Sequence, residues 1–312
     1  MENAQTLNIG QEPESQPEID VSKIVPINRQ SFADKLRGYT KKPFSMLAMI
    51  LVMLATAVMV AAVLWVLVYV LIQGVPNLKA EHFAWEYNST NLSMTPAIIN
   101  TLIIAAIALL IAVPIGVFAA IFMVEYAKST NIFVKIVRMA AETLSGIPSI
   151  VYGIFGMLFF VEALGWGYSM IAGILTMSIM VLPLIMRTTE EALLAVPDSF
   201  REGSFALGAG KLRTIFVIIL PAAMSGIISG IILALGRIVG ETAALIYTSG
   251  TVKAVPDSLM GSGCTLAVFM YTLYRENAAP EVAWATGVVL IALVLIINGA
   301  AEFVGNKLKK EY

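Results

Sequence analysis

This chain has one cysteine, one histidine and few charged side chains, and each shortage excludes a kind of site. Cys264 alone cannot form an intramolecular disulfide or a cluster of thiolate metal ligands. His82 alone excludes a metal site built on several histidines and a histidine relay for protons. No G-x-x-x-x-G-K-[ST] motif is present, so the chain lacks the phosphate-binding loop of many ATPases.

Charge is scarce because the sequence is mostly apolar. Charged residues make up 13% of the 312 residues and hydrophobic ones 58%, whereas soluble domains carry about 25% charged residues. The formal net charge of −1 offers no basic surface, so we expect no nucleic-acid partner. This composition predicts a membrane protein surrounded by membrane lipid.

Six uncharged apolar runs are long enough to cross a bilayer as helices, which takes about 20 residues each. They are Phe44–Ile72, Pro96–Val124, Thr143–Val161, Ala163–Met186, Thr214–Gly236 and Val282–Ala301. An even number of spans places both chain ends on one side of the membrane. That side holds 16 of the 20 lysines and arginines and the other side only 3, so both termini are predicted to be cytoplasmic.

A short helix is predicted in the cytoplasmic loop 187–213. Ser199 and Glu202 are spaced as a capping box, and Gly208 stands where a glycine commonly ends a helix. Isolated helices of about two turns are marginal in water, so this helix either docks on a partner protein or packs on its own bundle. The candidate apolar anchors are Phe200, Phe205 and Leu207.

Two other cytoplasmic segments also have helical patterns. A capping box at Thr188–Glu191 predicts a separate short helix at 192–196, which Pro197 ends. The apolar spacing in 132–142 predicts an amphipathic helix on the membrane surface or against the bundle.

The fifth run contains the sharpest site candidate. On a straight helix, Arg237 and Glu241 share a face with the small residues Gly226, Gly230 and Ala234. Such small residues let helices approach closely, so this face points into the protein. A charge inside a span marks a pathway or an ion pair. Arg237 therefore either binds an oxyanion in a substrate pathway that includes Thr242, with Glu241 neutralising it when the site is empty, or forms a structural i,i+4 salt bridge with Glu241.

The distance from Pro221 predicts how deep Arg237 lies. Sixteen residues separate the two, or about 24 Å of helix, which places Arg237 toward the outer half of the bilayer. Because apolar character continues to Tyr247, the helix must tilt or break, near Gly236 or Gly240.

A second pathway candidate is Gly146-Ile147-Pro148-Ser149, early in the third run. Proline removes a backbone donor and kinks a helix, which exposes backbone groups to a cavity. Pro148 and Ser149 either line the pathway in this way or only bend the helix around its neighbours.

The loop motif resembles one found in ABC importer membrane subunits. That motif consists of E-A-A, any three residues, G, any nine residues and then I-x-L-P. The matching positions here are Glu202, Gly203, Ser204, Gly208, Ile218, Leu220 and Pro221. Gly203 and Ser204 replace two alanines and keep both positions small. The resemblance implies that the loop helix docks in a cleft of a separate ATP-hydrolysing subunit. The docking residues would be Phe200, Glu202, Gly203, Ser204, Phe205, Leu207 and Gly208.

Further stretches resemble the phosphate-specific branch of these importers. They are GIPSIVYG at 146–153, AVPDSFREGSFALGAG at 195–210 and LGRIVGETAALIYTSG at 235–250. The end of the last stretch and IFMVEYA at 121–127 are more similar to the PstA-type subunit than to the PstC-type subunit. Ala244 departs from that pattern, which commonly has proline there.

The resemblance implies an all-α integral membrane fold with six transmembrane helices around a type I, MetI-like permease core. It implies a subunit in the bacterial inner membrane that moves inorganic phosphate to the cytoplasm by alternating access. The partners would be a homologous PstC-type permease, two ATPase subunits and a periplasmic phosphate-binding protein. This chain would be no enzyme and would bind no cofactor, because ATP-Mg would lie on the ATPase subunits.

The predicted organisation combines these elements in chain order. It consists of a cytoplasmic, disordered tail (1–43), a first transmembrane helix (44–72), a periplasmic loop (73–95), a permease core (96–303) that contains the coupling loop (187–213), and a cytoplasmic tail (304–312).

Three other interpretations stay open. The same architecture can import another oxyanion, such as sulfate, molybdate or a phosphonate. An ion-coupled carrier working alone would relay protons through Glu125, Glu142 and Glu241, but it leaves the pattern at 202–221 unexplained. The chain can also serve as a membrane scaffold that signals the phosphate supply.

Overall fold

Residues 43–127, 131–276 and 278–308 are described by the structure, a computed structural model. Within these ranges every regular element is helical and no strand is present. Five helices are long and apolar enough to cross a membrane, and a bent pair of helices makes a sixth span if its two parts are taken together. The predicted all-α membrane fold is therefore confirmed.

We number the described α-helices in chain order. They are α1 (Pro43–Gly74), α2 (Thr95–Ile121), α3 (Ile132–Ser145), α4 (Ser149–Gly156), α5 (Met170–Leu194), α6 (Asp198–Ala206), α7 (Lys211–Thr214), α8 (Leu220–Val239), α9 (Ala243–Ile246), α10 (Leu266–Arg275) and α11 (Pro280–Leu308). Turns of π-helix extend α2 (Phe122–Tyr126) and α4 (Met157–Ala163) and join α7 to α8 (Ile215–Ile219).

Residue contacts divide the chain after Trp65 into two units. The described part of the first unit is the beginning of α1, whose apolar side chains are mostly exposed. The second unit starts with the end of α1, where the Tyr69 and Trp284 rings meet edge to face with 5.4 Å between their centroids. All other helices, and both candidate sites, belong to this second unit.

The core of the second unit forms where α2, α5 and α8 pack together. On α2 the small residues Ala105, Ala108 and Ala112 are almost fully buried, so neighbouring helices approach it closely. Further along α2, a Cβ placed on Gly116 would lie 2.9 Å from Cγ2 of Ile185 on α5. The contact between α2 and α5 therefore leaves no room for a larger residue there.

The predicted third span, Thr143–Val161, is wrong at its start. Helix α3 ends at Ser145 and α4 begins at Ser149, with a bend of 102° between them. The apolar run continues across this bend, so composition alone joins the end of α3 to the span. The spanning part is α4 with its π-helical extension to Ala163.

The predicted fourth span, Ala163–Met186, is displaced along the chain. Helix α5 begins at Met170 and continues to Leu194, beyond the last residue of the apolar run. The coupling loop predicted at 187–213 is consequently shorter, because its first residues belong to α5 and α7 begins at Lys211.

The capping box predicted at Thr188–Glu191 is wrong, because these residues lie inside α5. Thr189 is fully buried, and Glu190 forms an ion pair with Arg138 of α3. These tertiary contacts hold polar residues in a helix although their sequence resembles a helix start. No separate helix follows at 192–196.

The predicted tails are only partly covered. Helix α11 continues to Leu308, so the cytoplasmic tail predicted at 304–312 is helical in its first half. Residues 309–312 and the tail predicted at 1–43, apart from Pro43, lie outside the described residues.

Helix α3 contains the amphipathic helix predicted at 132–142. The side chain of Asn131 caps it by accepting a 2.9 Å hydrogen bond from the N–H of Phe133. Its large apolar side chains are exposed, while Arg138 reaches α5. The apolar face of α3 is therefore open to lipid or to a partner chain.

Candidate functional site

The coupling helix is α6, which runs from Asp198 to Ala206 and confirms the predicted helix of about two turns. The predicted capping box is wrong, because the N-cap residue is Pro197 and no side chain caps the helix. The carbonyl of Pro197 accepts the N–H of Phe200 at 3.2 Å, which starts the helix before Ser199. Asp198 lies in the first turn, where its charge favours the positive end of the helix dipole.

Gly208 ends this helix as predicted. Its φ of +81° is left-handed, which glycine adopts without steric cost. The N–H of Ala209 donates to the carbonyl of Ser204 at 3.1 Å, and the N–H of Gly208 donates to that of Phe205 at 2.9 Å. These two bonds form a Schellman motif, which fixes the end of the coupling helix.

The predicted docking residues lie on two different sides of α6. Leu207 is 90% exposed, Phe205 46% and Phe200 44%, and Glu202, Gly203 and Gly208 are exposed as well. Ser204 is the exception and corrects the prediction, because it is buried with its Oγ 2.8 Å from Oγ1 of Thr214. The Ser204 side chain therefore makes a contact inside the coupling loop.

The inner side of α6 contains a residue that sequence reasoning missed. Arg201 forms a buried ion pair with Glu125, which lies 76 positions earlier at the end of α2. No short-range pattern signals a contact between residues so far apart. Glu125 was a candidate for a proton relay, but its carboxylate is held by this arginine.

The packing of α8 on α5 shows how deep Arg237 lies. Two contacts fix their antiparallel register, Gly226 with Ala192 and Gly230 with Thr188. Continued along both helices, this register brings Arg237 level with Val181, 11 residues after the start of α5 and 13 before its end. Arg237 is therefore near the middle of the span.

The predicted position toward the outer half of the bilayer stays a prediction, because the register relates Arg237 only to α5, and Val181 is slightly nearer the start of that helix than its end. By the same register Pro221 is beyond Leu194, the last residue of α5. The 16 residues from Pro221 to Arg237 therefore begin outside the packed core and reach only its middle.

Helix α8 breaks immediately after Arg237. It ends at Val239 with Gly240 as its C-cap, at one of the two glycines where a break is predicted. Glu241 lies past the helix end, and its Oε1 accepts the N–H of Ala244, the second residue of α9, at 3.1 Å. The alternative i,i+4 salt bridge between Arg237 and Glu241 is not formed within the described residues.

Arg237 is partly buried in the last turn of α8. Within the described part of the chain it has no ion-pair partner and donates no side-chain hydrogen bond. A cation at this depth is costly unless it faces water or an anion. The geometry is suited to a binding point for an anion.

The other predicted pathway residues lie near the break. Thr242 is the N-cap of α9 and lines a cavity of about 490 Å³ together with Ile150 of α4. Pro148 is the N-cap of α4 and Ser149 its first residue, so both precede Ile150 in the chain but neither lines the cavity. The predicted bend at Pro148 is confirmed, because the chain turns by 102° there, and the bend falls between α3 and α4 and not inside one helix. No described hydrogen bond joins Pro148 or Ser149 to Arg237.

A comparison with known families identifies this architecture. The family of binding-protein-dependent transport system inner membrane components matches residues 112–310. This chain belongs to that family. The matched range includes the coupling helix, Arg237 and the break that follows it. As a member, the chain is a multi-pass translocation subunit of the inner membrane.

Relatives of this family member align over most of the chain. It is 32% identical to the probable ABC transporter permease protein YqgI of Bacillus subtilis, over 83% of this chain and 94% of that protein. It is 30% identical to the phosphate transport system permease protein PstA of Haemophilus influenzae, over 84% and 94%. Identity to PstA 1 of Mycobacterium tuberculosis is 36%, over 67% and 69%. The predicted resemblance to PstA-type permeases is confirmed.

Solved structures share the fold of this family member. A bacterial ABC transporter that imports alginate matches with a TM-score of 0.62 at 16% identity, over 88% of this chain and 100% of that chain. A bacterial alginate transporter in complex with its periplasmic protein matches with a TM-score of 0.61 at 17% identity, over 82% of this chain and 95% of that chain. The inward-facing MetNI methionine transporter matches with a TM-score of 0.56 at 19% identity, over 74% of this chain and 100% of that chain. These likenesses confirm the type I, MetI-like importer fold.

Proposed function

We propose that this chain is the PstA-type membrane subunit of an ATP-driven importer that moves inorganic phosphate from the periplasm to the cytoplasm. Two phosphate transport system permeases that are 30–36% identical to this chain support this choice. The proposal concerns the substrate and the partners, since the importer family itself is established above.

The observation that carries the proposal is the environment of Arg237. A guanidinium group stays charged and presents a planar set of donors that fits an oxyanion. Arg237 provides this group at mid-depth, next to a helix break and without a carboxylate partner in the described chain. Broken helices at the middle of the membrane commonly form the substrate sites of transporters. We therefore assign Arg237 to phosphate binding, with Thr242 contributing from the other side of the helix break.

The exposed side of α6 supports a separate ATPase as the motor. Phe200, Phe205 and Leu207 offer an apolar surface on a short helix that is fixed at both ends. Phe200 and Leu207 share one face of the helix, as the anchors of helix-in-groove docking do, whereas Phe205 lies on another face. Two ATPase subunits would carry ATP-Mg, a PstC-type permease would supply the second half of the pathway, and a periplasmic phosphate-binding protein would deliver the anion.

The proposed mechanism is alternating access. Closure of the ATPase dimer on ATP draws the two coupling helices together, and the paired permeases open outward to receive phosphate. Hydrolysis returns them inward, and phosphate leaves toward the cytoplasm. In this cycle the chain binds and releases an anion and makes or breaks no covalent bond.

Labelled-phosphate uptake tests the proposal. The assay uses phosphate-starved cells that lack the gene, with and without the chain restored, and repeats each measurement after cellular ATP is depleted. We expect uptake only with the chain and with ATP. An excess of unlabelled sulfate or molybdate is expected to leave the uptake unchanged.

Two results contradict the proposal in different ways. If phosphate uptake is the same with and without the chain, phosphate is not its substrate, and the assay is repeated with other oxyanions. Uptake that depends on the chain but follows the proton gradient and not ATP removes the ATPase partner and favours an ion-coupled carrier.

A further inference from the structure

The buried ion pair between the coupling helix and the end of α2 has a geometry suited to transmitting force. The Nε and Nη2 atoms of Arg201 donate to one oxygen of Glu125 at 3.0 and 2.8 Å. The two side chains are only 15% and 8% exposed. Hydrogen bonds between ionised groups are short and strong, and burial shields this pair from solvent. The pair therefore holds α6 and α2 in one fixed relation.

Arg201 also binds the end of α5. Its Nη1 donates to the carbonyl of Val196 at 2.9 Å, and its Nη2 donates to the carbonyl of Leu193 at 3.0 Å. One guanidinium group thus joins the ends of two spans to the coupling helix. A further contact, with Asp198, lies on the surface, since that carboxylate is 86% exposed.

The residue after Glu125 makes a second link to the coupling loop. The ammonium group of Lys211, which follows α6, lies over the ring of Tyr126 at 4.7 Å from its centroid. Glu125 and Tyr126 both belong to the π-helical turn that ends α2. The same turn therefore contacts α6 itself through Arg201 and the start of α7 through Lys211.

Helix α2 is well placed to pass on a displacement. It lies in the core against α5 and α8, and α8 contains Arg237. The close contact of Gly116 with Ile185 leaves little freedom for α2 to slide past α5. Close-packed interiors transmit strain because they have few voids to absorb it. A pull on the end of α2 must therefore be shared with the helices around the pathway.

We propose that Glu125 and Arg201 are a positioning pair that couples movement of the docking helix α6 to α2, and through it to the anion pathway. This inference rests on the proposed function, because it needs an ATPase that moves α6. Neither residue lines the cavity that contains Thr242, and neither is one of the apolar anchors Phe200, Phe205 and Leu207. The pair acts between these two sites.

The test uses the full complex in proteoliposomes, with the ATPase and the phosphate-binding protein, and measures labelled phosphate moved per ATP hydrolysed. Glu125→Gln removes the charge at nearly constant shape. Arg201→Lys keeps the positive charge but cannot make the four contacts of the planar guanidinium group. We expect both variants to assemble and to hydrolyse ATP. The number of phosphate ions moved per ATP hydrolysed should fall by roughly tenfold, within the usual range for coupling between sites.

Glu191→Gln is the matched control. Glu191 also pairs with an arginine on the cytoplasmic side of the bundle, at 3.0 Å, but both side chains are more than half exposed. Exposed pairs contribute little, so we expect the ratio in this variant to equal that of the wild type. Glu125→Asp, which keeps the charge on a shorter side chain, provides a variant that folds more readily if Glu125→Gln does not assemble.

Each outcome decides between coupling and a merely structural role. A lowered ratio in complexes that assemble normally supports the proposal, because loss of stability alone reduces the amount of complex and not the ratio. An unchanged ratio in Glu125→Gln overturns it, and where that variant does not assemble, an unchanged ratio in both Arg201→Lys and Glu125→Asp overturns it. Failure of all three pair variants to assemble, with a normal control, assigns the pair to folding and also overturns it.

A wrong substrate assignment is distinguished from a failure of the coupling proposal. A wild-type complex that hydrolyses ATP and moves another oxyanion in place of phosphate contradicts the substrate alone. The ratio is then measured with that anion, and the comparison between Glu125→Gln and the control keeps its meaning.

Discussion

Gly230 of α8 lies directly against the side chain of Thr188 of α5. A Cβ placed on Gly230 would overlap Oγ1 of Thr188 and lie 2.7 Å from its Cβ. Thr188 cannot turn away freely, because Oγ1 donates to the carbonyl of Leu184 at 3.0 Å. This contact also fixes the register that places Arg237 at mid-depth. Helix packing and the position of the candidate anion site are therefore linked.

We expect Gly230→Ala to destabilise the α5–α8 contact by about 1–3 kcal/mol, the usual cost of overpacking a core. The measurement is the apparent melting temperature of the purified chain in detergent. Gly236→Ala is the matched control in the same helix, since a Cβ there meets no atom within 4 Å. Alanine favours a helix over glycine by about 1 kcal/mol, so the control is expected to melt no lower than the wild type. Equal melting temperatures for the two variants would contradict the contact.

The single cysteine gives a second prediction. Cys264 is fully buried, and this burial raises the pKa of its thiol from 9.0 to about 12, with nearby Lys253 acting in the opposite direction. The thiolate is the reactive form, so we expect almost no maleimide labelling at pH 8 until the chain is unfolded. Mass spectrometry with and without denaturant measures this difference, and rapid labelling of the folded chain is the contrary result.

The same pKa shift sets a pH dependence. Because the folded pKa of Cys264 lies above the unfolded value, folding favours the protonated thiol. Its contribution to stability is complete below pH 9.0 and is lost as pH rises toward about 12. We expect Cys264→Ser to lose this part of the alkaline destabilisation when unfolding is followed across that interval.

Features encoded locally are predicted well from this sequence. The apolar runs identify the spans because each carries its signal in its own composition. The coupling helix is predicted because Gly208 marks its end, and the structure confirms the positive φ that requires glycine. The break after α8 is likewise signalled by Gly240.

Features that depend on distant partners are not predicted. The residues at Thr188–Glu191 resemble a helix start, but Glu190 is held inside α5 by Arg138 from another helix. The pair of Arg201 with Glu125 joins segments with no shared pattern. The depth of Arg237 depends on the register of two helices, which hydropathy does not contain.

Gly208 is expected to be essential for the shape of the coupling helix. At a φ of +81°, a residue with a Cβ costs about 1–2 kcal/mol. Gly208→Ala should weaken the Schellman bonds, speed amide exchange at Gly208 and Ala209, and reduce recovery of the ATPase with the tagged chain. Gly210→Ala is the control, because Gly210 has a φ of −73° and an open Cβ position. Similar exchange in both variants would show that the helix end needs no glycine.

Arg237 provides the most direct test of the anion pathway. Loss of a hydrogen bond to a charged group costs about 1.5–3 kcal/mol, so we expect Arg237→Ala to lower ATP-dependent phosphate uptake by roughly 10–100-fold. Arg237→Lys keeps the charge but loses the planar donor set, so its uptake should lie between that of the wild type and that of Arg237→Ala. Arg187→Ala is the control, because Arg187 is an exposed arginine paired with Glu191. Uptake is compared per amount of assembled complex.

Glu241→Gln separates the anion site from a structural ion pair. In the structure Glu241 accepts a backbone hydrogen bond from Ala244 and does not pair with Arg237. Glutamine keeps an oxygen acceptor for that bond, so we expect the fold to persist and Arg237 to keep its role. If Arg237 and Glu241 instead formed a pair that fixes helix packing, Glu241→Gln and Arg237→Ala would lower the melting temperature alike. A melting temperature that falls in both variants, with phosphate uptake per complex unchanged, would remove Arg237 from the pathway.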